Sequence, residues 1–202
     1  MSIKAVIFDL GGVLVRTEDR APRTELGLRF GKSYAEMDRV VFNESSYRAS
    51  IGEITSREHW QFVMRSLDLP ESEIEPFYDQ FFGGDLVDYE IIETISALRP
   101  QYTTALLSNA WDDLRRLMGE KWKIESAFDQ IFISAEIGIA KPSATIYEFT
   151  LEKLGIAPEE AVFADDFIEN IEAARALGMH GIHFKEPKAA MRELSELLES
   201  QK

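Results

Sequence analysis

The chain has 202 residues, 45% of them hydrophobic and 29% charged, which describes an ordinary globular protein with room for one core, or a core plus a small accessory unit. Its 22 basic and 36 acidic residues leave a formal net charge of −14, a field that repels polyanions and argues against nucleic acid as a partner. The absence of cysteine excludes disulfides and thiolate chemistry, and no apolar run reaches the ~20 residues that a membrane span requires.

The first element is Ala5-Val6-Ile7-Phe8, apolar throughout and therefore expected as a strand buried on both faces. It opens the sequence without a signal-peptide pattern, so a cytoplasmic location is expected. Asp9 ends the strand, and Gly11-Gly12 turns the backbone while leaving room for a ligand to approach it. From about residue 16 to 82 the pattern is helical with no convincing strand. Tyr34, Met37, Val40 and Val41 share a face; Thr55 and Glu58 have the spacing of a capping box ahead of the stripe Trp60, Val63, Met64, Leu67; Ile74, Phe77, Tyr78 and Phe81 make a further helix before Gly83-Gly84. The aromatic residues here, among them Phe42, Tyr47, Trp60 and Phe81, are expected to form a small core of their own. Residues 42–53 read as a loop over the main unit. Residues 16–84 are thus a helical insertion between residues 1–15 and 85–202.

From Asp85 onward helix and strand alternate. The pattern predicts a helix carrying Val87, Ile91, Ile92, Ile95 and Leu98, then a strand over 103–107. A polar helical segment over 112–118 precedes a strand over 131–133. A helix over 143–154 follows Lys141-Pro142, and a strand over 161–164 ends at Asp165-Asp166. A helix with Ile168, Ile171 and Ala174, a strand over 181–184 and a closing helix with Met191, Leu194, Leu197 and Leu198 complete the chain. Strands separated by helical spacers predict right-handed βαβ units: an α/β fold with a Rossmann-like parallel sheet and a small helical cap inserted after strand 1.

In such a sheet the carboxyl ends of the strands converge on one edge. That brings together Asp9, Ser108 with Asn109, and Asp165 with Asp166, while Lys141 sits in a loop within reach. Several carboxylates in one cleft raise each other's pKa unless a cation lies among them. Oxygen-only ligation suits Mg²⁺, which keeps positions open for water and phosphate oxygens. Lys141, the Ser108 hydroxyl, the Asn109 amide and the N–H groups of the Gly11-Gly12 turn suit the remaining oxygens of a phosphoryl group.

The motifs Asp9-Leu10-Gly11-Gly12-Val13-Leu14, Leu107-Ser108-Asn109, Lys141-Pro142, and Asp165-Asp166 followed by Asn170 occur in this order across nearly the whole chain. With them the sequence resembles the haloacid dehalogenase-like (HAD) hydrolase superfamily, in the subfamily with a small helical cap after the first motif. It is similar to the branch that holds an α-D-glucose-1-phosphate phosphatase and the amino-terminal domains of soluble epoxide hydrolases. The resemblance implies Mg²⁺-dependent hydrolysis of a small phosphorylated metabolite, a sugar phosphate among the candidates. By the same resemblance Asp9 is the nucleophile that forms an aspartyl-phosphate, Ser108 binds the phosphoryl group with Asn109 beside it, and Lys141 neutralises charge. Asp166, with Asp165, Asp9 and the carbonyl of Gly11, then holds the metal, and Gly11 and Gly12 line the phosphate site.

One position departs from the pattern. Most phosphatases of this superfamily carry a second Asp two residues after the nucleophile as general acid and base, and Gly11 stands there. Its loss removes a contribution of ~10²–10⁴-fold; Glu44, Glu53 or water are the candidate substitutes. Two other readings stay open: a metal-free haloacid dehalogenase-type hydrolase, against which the extra acids Asp165-Asp166 count, and a weakly active binding protein that keeps the pocket. Outside the motifs, His59, His180 and His183 read as packing or surface residues, and Trp111 as a packing residue near the cap. Oligomeric state is left open.

Overall fold

A computed structural model describes residues 2–200. In chain order its strands are β1 (Ala5–Phe8), β2 (Val15–Thr17), β3 (Asp85–Val87), β4 (Thr103–Ser108), β5 (Gln130–Ile133), β6 (Ala161–Asp165) and β7 (His180–His183). Five of them form a parallel sheet in the order β5-β4-β1-β6-β7. The apolar run of β1 is in the centre because every one of its residues is fully buried. Alternate side chains enter different clusters: Val6 and Phe8 pack with Leu106 and Val162 on one face, Ile7 with Leu107 and Phe163 on the other. The chain leaves β1 toward β4 on one side and reaches β6 on the other, so the carboxyl end of β1 lies where the winding reverses. Ligands of open α/β sheets bind at that point.

Between β2 and β3 lie α1 (Ala21–Arg29), α2 (Tyr34–Val41), α3 (Glu44–Ser50), α4 (Ser56–Ser66) and α5 (Ile74–Phe81). Leu26, Met37, Val41, Trp60, Val63, Met64, Phe77 and Phe81 form a third apolar cluster of their own. The Thr55–Glu58 capping box is present in both directions, and a second one, Ser33 with Glu36, opens α2. After β3 follow α6 (Tyr89–Leu98), α7 (Leu114–Arg116), α8 (Ser134–Ile137), α9 (Ala144–Leu154), α10 (Ile168–Ala176) and α11 (Pro187–Ser200). Ile91, Ile95, Leu194 and Leu198 of α6 and α11 cover one face of the sheet; Ile146, Tyr147, Leu151 and Ile171 of α9 and α10 cover the other. Among the described residues, no helix is long and apolar enough to cross a membrane.

Five local expectations are corrected. The junction between the helical insertion and the sheet is an antiparallel ribbon, β2 with β3, where Val15 pairs with Val87 and Thr17 with Asp85. Val87 accordingly belongs to this ribbon, and α6 starts at Tyr89 behind its Asp88 cap. Residues 42–53 hold the helix α3, capped by Asn43, whose side chain accepts from the N–H groups of Ser45 and Ser46. Phe42 and Tyr47 lie outside the third cluster's core, 52% and 60% exposed. The segment 112–118 is broken: only Leu114–Arg116 is α-helical, and a π turn follows over Leu117–Lys121.

Candidate active site

The backbone N–H of Asp9 donates to Ala164 O (2.9 Å), so the sheet's own pairing carries the chain one residue past β1 and fixes where this carboxylate emerges. Lys141 reaches the same point from the loop before α9. Its Nζ lies 2.7 Å from Asp9 Oδ1 and 2.7 Å from Asp165 Oδ2, and donates to Leu107 O at 2.9 Å. The ammonium is buried, with its three donors directed at three oxygens. Asn109 holds this loop in place: its Nδ2 donates to Lys141 O (2.9 Å) and its Oδ1 accepts from Lys141 N (2.8 Å). Both amide atoms of Asn109 are therefore spent on the Lys141 backbone. Ser108, the last residue of β4, is buried beside them.

The two acids after β6 differ in what they touch. Asp165 is fully buried; Oδ1 accepts from Phe167 N (2.8 Å) and Asn170 Nδ2 (3.0 Å), and Oδ2 accepts from Asn170 Nδ2 (2.9 Å) and Lys141 Nζ. Its oxygens are engaged by the protein's own donors. Asp166 Oδ1, by contrast, is buried without any hydrogen-bond partner. A buried carboxylate oxygen left alone carries a full desolvation penalty. Burial first, then the neighbouring Asp9 and Asp165, push the Asp166 carboxyl up to about 7. Burial also raises Asp9, against the opposing pull of Lys141.

One oxygen from each of Asp9, Asp165 and Asp166 lies within 4.8 Å of the others. Fully ionised, three carboxylates against one ammonium carry two surplus negative charges, and the donor set is oxygen only, so the cluster fits a hard divalent cation. Gly12 makes the cluster possible. It has φ +72°, and a Cβ at that position would run into the Asp166 carboxyl group.

A cavity of about 700 Å³ opens beside these residues, lined on the β1 side by Leu10, Gly11 and Gly12 and on the β4 side by Asn109, Ala110 and Trp111. Trp111 joins it to the helical insertion. Its Nε1 donates to Ser46 O (3.3 Å), and its ring packs 4.6 Å from His59 and 5.6 Å from Trp60 between centroids.

A family model for haloacid dehalogenase-like hydrolases matches residues 3–178. The chain belongs to this family. The hydrolase is 29% identical over 202 residues to the sesquiterpene phosphatase astK of Aspergillus oryzae, an alignment that covers 98% of this chain and 97% of the relative. It is 26% identical to bifunctional epoxide hydrolase 2 of Sus scrofa over 98% of its own length, but it spans only 39% of that protein. Among solved structures it is similar to an HAD family enzyme of Bacteroides thetaiotaomicron in complex with magnesium and inorganic phosphate, with a TM-score of 0.75 and 25% identity over 89% of this chain and 93% of that one.

All eight residues singled out in the motifs come to this edge of the sheet: Asp9, Gly11, Gly12, Ser108, Asn109, Lys141, Asp165 and Asp166. The two proposed substitutes for the missing acid do not. Glu44 and Glu53 are exposed, Glu53 is paired with Arg48 (3.1 Å), and neither lines the cavity. The acids that do line it are Asp85 and Asp113, which sit outside every motif. Phe167, directly after the paired acids, is a further lining residue that the sequence reading did not single out; it is 61% exposed at the cavity. His59 is a packing residue: it is fully buried, its Nδ1 shares a hydrogen bond with Ser45 Oγ (2.8 Å), and its ring packs on Trp60 and Trp111. His183 has a defined role, its Nε2–H donating to Asp166 O (2.9 Å) and fixing the turn that presents Asp166.

Proposed function

We propose that this hydrolase is a Mg²⁺-dependent phosphomonoesterase that works through an aspartyl-phosphate on Asp9. The observation that carries the reading is the Lys141 ammonium held between Asp9 and Asp165 beside the partnerless Asp166 oxygen. This charge arrangement is suited to a cation and a phosphoryl group and has no evident purpose for a neutral substrate. The likeness to an enzyme structure holding magnesium and inorganic phosphate, and to a relative named as a phosphatase, supports the same reading.

In this reading Asp9, Asp166 and the Gly11 carbonyl hold Mg²⁺, and Asp165 positions the group through Lys141 and Asn170. When bound, the cation neutralises the phosphate and polarises it toward attack. An Asp9 carboxylate oxygen forms a bond to phosphorus as the ester P–O bond breaks, and the alcohol takes a proton from solvent because Gly11 offers none. Water then attacks the phosphorus of the aspartyl-phosphate, releasing inorganic phosphate and restoring Asp9. Lys141 orients Asp9 and lowers the energy of the developing negative charge. Ser108 donates to a phosphoryl oxygen, and Asn109 is a positioning residue that acts by fixing Lys141. Residues 16–84 serve as the cap that closes the cavity over residues 1–15 and 85–202.

Phosphate release from p-nitrophenyl phosphate, with and without Mg²⁺, tests the reading. Turnover is expected to need the metal and to vanish in Asp9→Asn while the circular dichroism spectrum stays unchanged. Activity retained in Asp9→Asn overturns the assignment of the nucleophile. Halide release from a haloacid in chelator, with no phosphatase activity, overturns the reaction class.

A further inference from the structure

The cavity beside Gly11 has walls of an unusual kind for a site that takes a sugar. Phe42, Phe82, Trp111, Leu117, Trp122 and Phe167 are among the residues that line it. Two of these, Phe42 and Phe167, are large aromatic residues left 52% and 61% exposed at the site. The aromatic wall is continuous with the insertion's own cluster, since Phe42 packs 5.7 Å from Phe81 and 6.5 Å from Trp111 between ring centroids.

Several of the polar groups that line the cavity are paired within the protein. Arg23 bonds Asp38 (2.9 Å), Tyr34 (3.1 Å), Asp85 (3.3 Å) and the Phe81 carbonyl (3.2 Å). Arg16 bonds Asp88 (2.8 Å), Glu18 (3.0 Å) and the Val13 carbonyl (2.8 Å). Thr17 Oγ1 donates to Asp85 Oδ1 at 2.6 Å, Ser50 Oγ to Tyr47 O at 2.8 Å, and both amide atoms of Asn109 are occupied. A sugar ring needs several convergent free donors and acceptors to replace the water it loses. This wall offers mostly carbon: Arg16, Arg23 and Asp85 are paired, and Lys121, over the Tyr78 ring, is a charge left outside those pairs.

We infer that the alcohol portion of the substrate is apolar, an alkyl, isoprenoid-like or aryl-alkyl chain lying along Phe42, Trp111 and Leu117, with its phosphate end at Gly11 and Gly12. This rests on the phosphomonoesterase reading for the phosphate end and on the cavity alone for the chain. A sugar phosphate, one of the candidates from the sequence, is the alternative that the experiment sets against it.

Straight-chain alkyl phosphates from ethyl to dodecyl, kept below their micelle-forming concentrations, separate the two questions. Their leaving groups have nearly the same basicity, so a dependence on chain length reports burial and not chemistry. kcat/KM is expected to rise about threefold to fourfold per methylene until the cavity is filled, following the transfer free energy of a buried CH₂. Glucose 1-phosphate and glucose 6-phosphate are expected below butyl phosphate. In Phe42→Ser, compared with the parent at a matched circular dichroism spectrum, the rise per methylene is expected to flatten. A flat series, or a sugar phosphate preferred over decyl phosphate, overturns the inference while leaving the phosphatase reading intact. Should no ester turn over at all, calorimetric titration with alkylphosphonates in Mg²⁺ keeps the cavity under test. Decylphosphonate is expected to bind more than a hundredfold more tightly than ethylphosphonate, with a negative heat-capacity change; equal affinity overturns the inference.

Discussion

Replacing Gly11 by Asp tests the chemistry at the point where this hydrolase departs from its family. A Cβ at Gly11 meets no atom within 4 Å, and Gly11 has no left-handed backbone angle, so an aspartate enters without strain. Its carboxyl group would stand at the cavity wall, one residue from Leu10 and two from Asp9. The negative charges of Asp9 and Asp166 nearby would push the new carboxyl upward, toward the protonated state a general acid needs. The contribution of such an acid is ~10²–10⁴-fold, and the added negative charge beside Asp9 and Asp166 works against substrate binding. The lower end, about a hundredfold or ~2.7 kcal/mol of barrier, is therefore expected. The gain should appear only where the leaving group needs a proton. kcat/KM for butyl phosphate is expected to rise about a hundredfold in Gly11→Asp, while that for p-nitrophenyl phosphate, which departs as a stable phenolate, should change by no more than about twofold. Gly11→Asn, of the same size but without a proton to give, should show no gain on either. Equal changes on both esters, or no rise with butyl phosphate, would refute the argument that the missing acid limits this enzyme.

Other positions give equally direct tests. Gly12→Ala forces a methyl group into the Asp166 carboxyl at a φ of +72°, so the Mg²⁺ concentration for half-maximal activity should rise ~10–100-fold, read from a metal titration of phosphate release. Lys141→Met leaves Asp9 and Asp165 buried without their counter-charge; it should abolish turnover and cost ~3–5 kcal/mol in denaturant unfolding, a loss that Mg²⁺ partly reverses. Burial holds the His59 imidazole down at about 4, against 6.5 for the free side chain, so between these values the unfolded chain binds the extra proton. Stability contributed by neutral His59 is full above pH 6.5 and is lost as the pH falls toward 4, with a limiting slope of ~1.4 kcal/mol per pH unit. His59→Phe should flatten that part of the profile in urea unfolding at pH 7 and pH 5. An unchanged slope would place the acid sensitivity elsewhere.

Three of the four motifs were readable because each sits at a strand end, which is marked in the sequence itself; Lys141-Pro142 lies in the loop before α9. The apolar run Ala5 to Phe8 stops at Asp9, the run before Ser108 stops at a polar pair, and the run before Asp165 stops at two acids. Parallel βαβ winding then requires these ends to meet, so the site followed from local pattern and one topological rule. The capping box at Thr55 was likewise local. The β2–β3 ribbon was not, since Thr17 and Asp85 lie 68 residues apart and three-residue strands carry no period of their own. The helix α3 was hidden because Glu44–Ser50 is too short and too polar to show a stripe; its capping residue Asn43 and its packing hold it.

What the sequence alone determined is which chemical groups this hydrolase owns and the order in which the sheet delivers them: acids and a lysine with no thiol, and a glycine where an acid is usual. The tertiary structure decided how those groups divide the work. Asp165 and Asp166 are identical neighbours on paper, yet one is saturated by Lys141, Asn170 and Phe167 and the other is left with a bare oxygen, because hydrogen-bond satisfaction depends on donors that arrive from distant segments. The cavity's apolar wall is decided the same way. Phe42, Trp111 and Phe167 belong to three separate stretches of chain, and only packing makes them one surface.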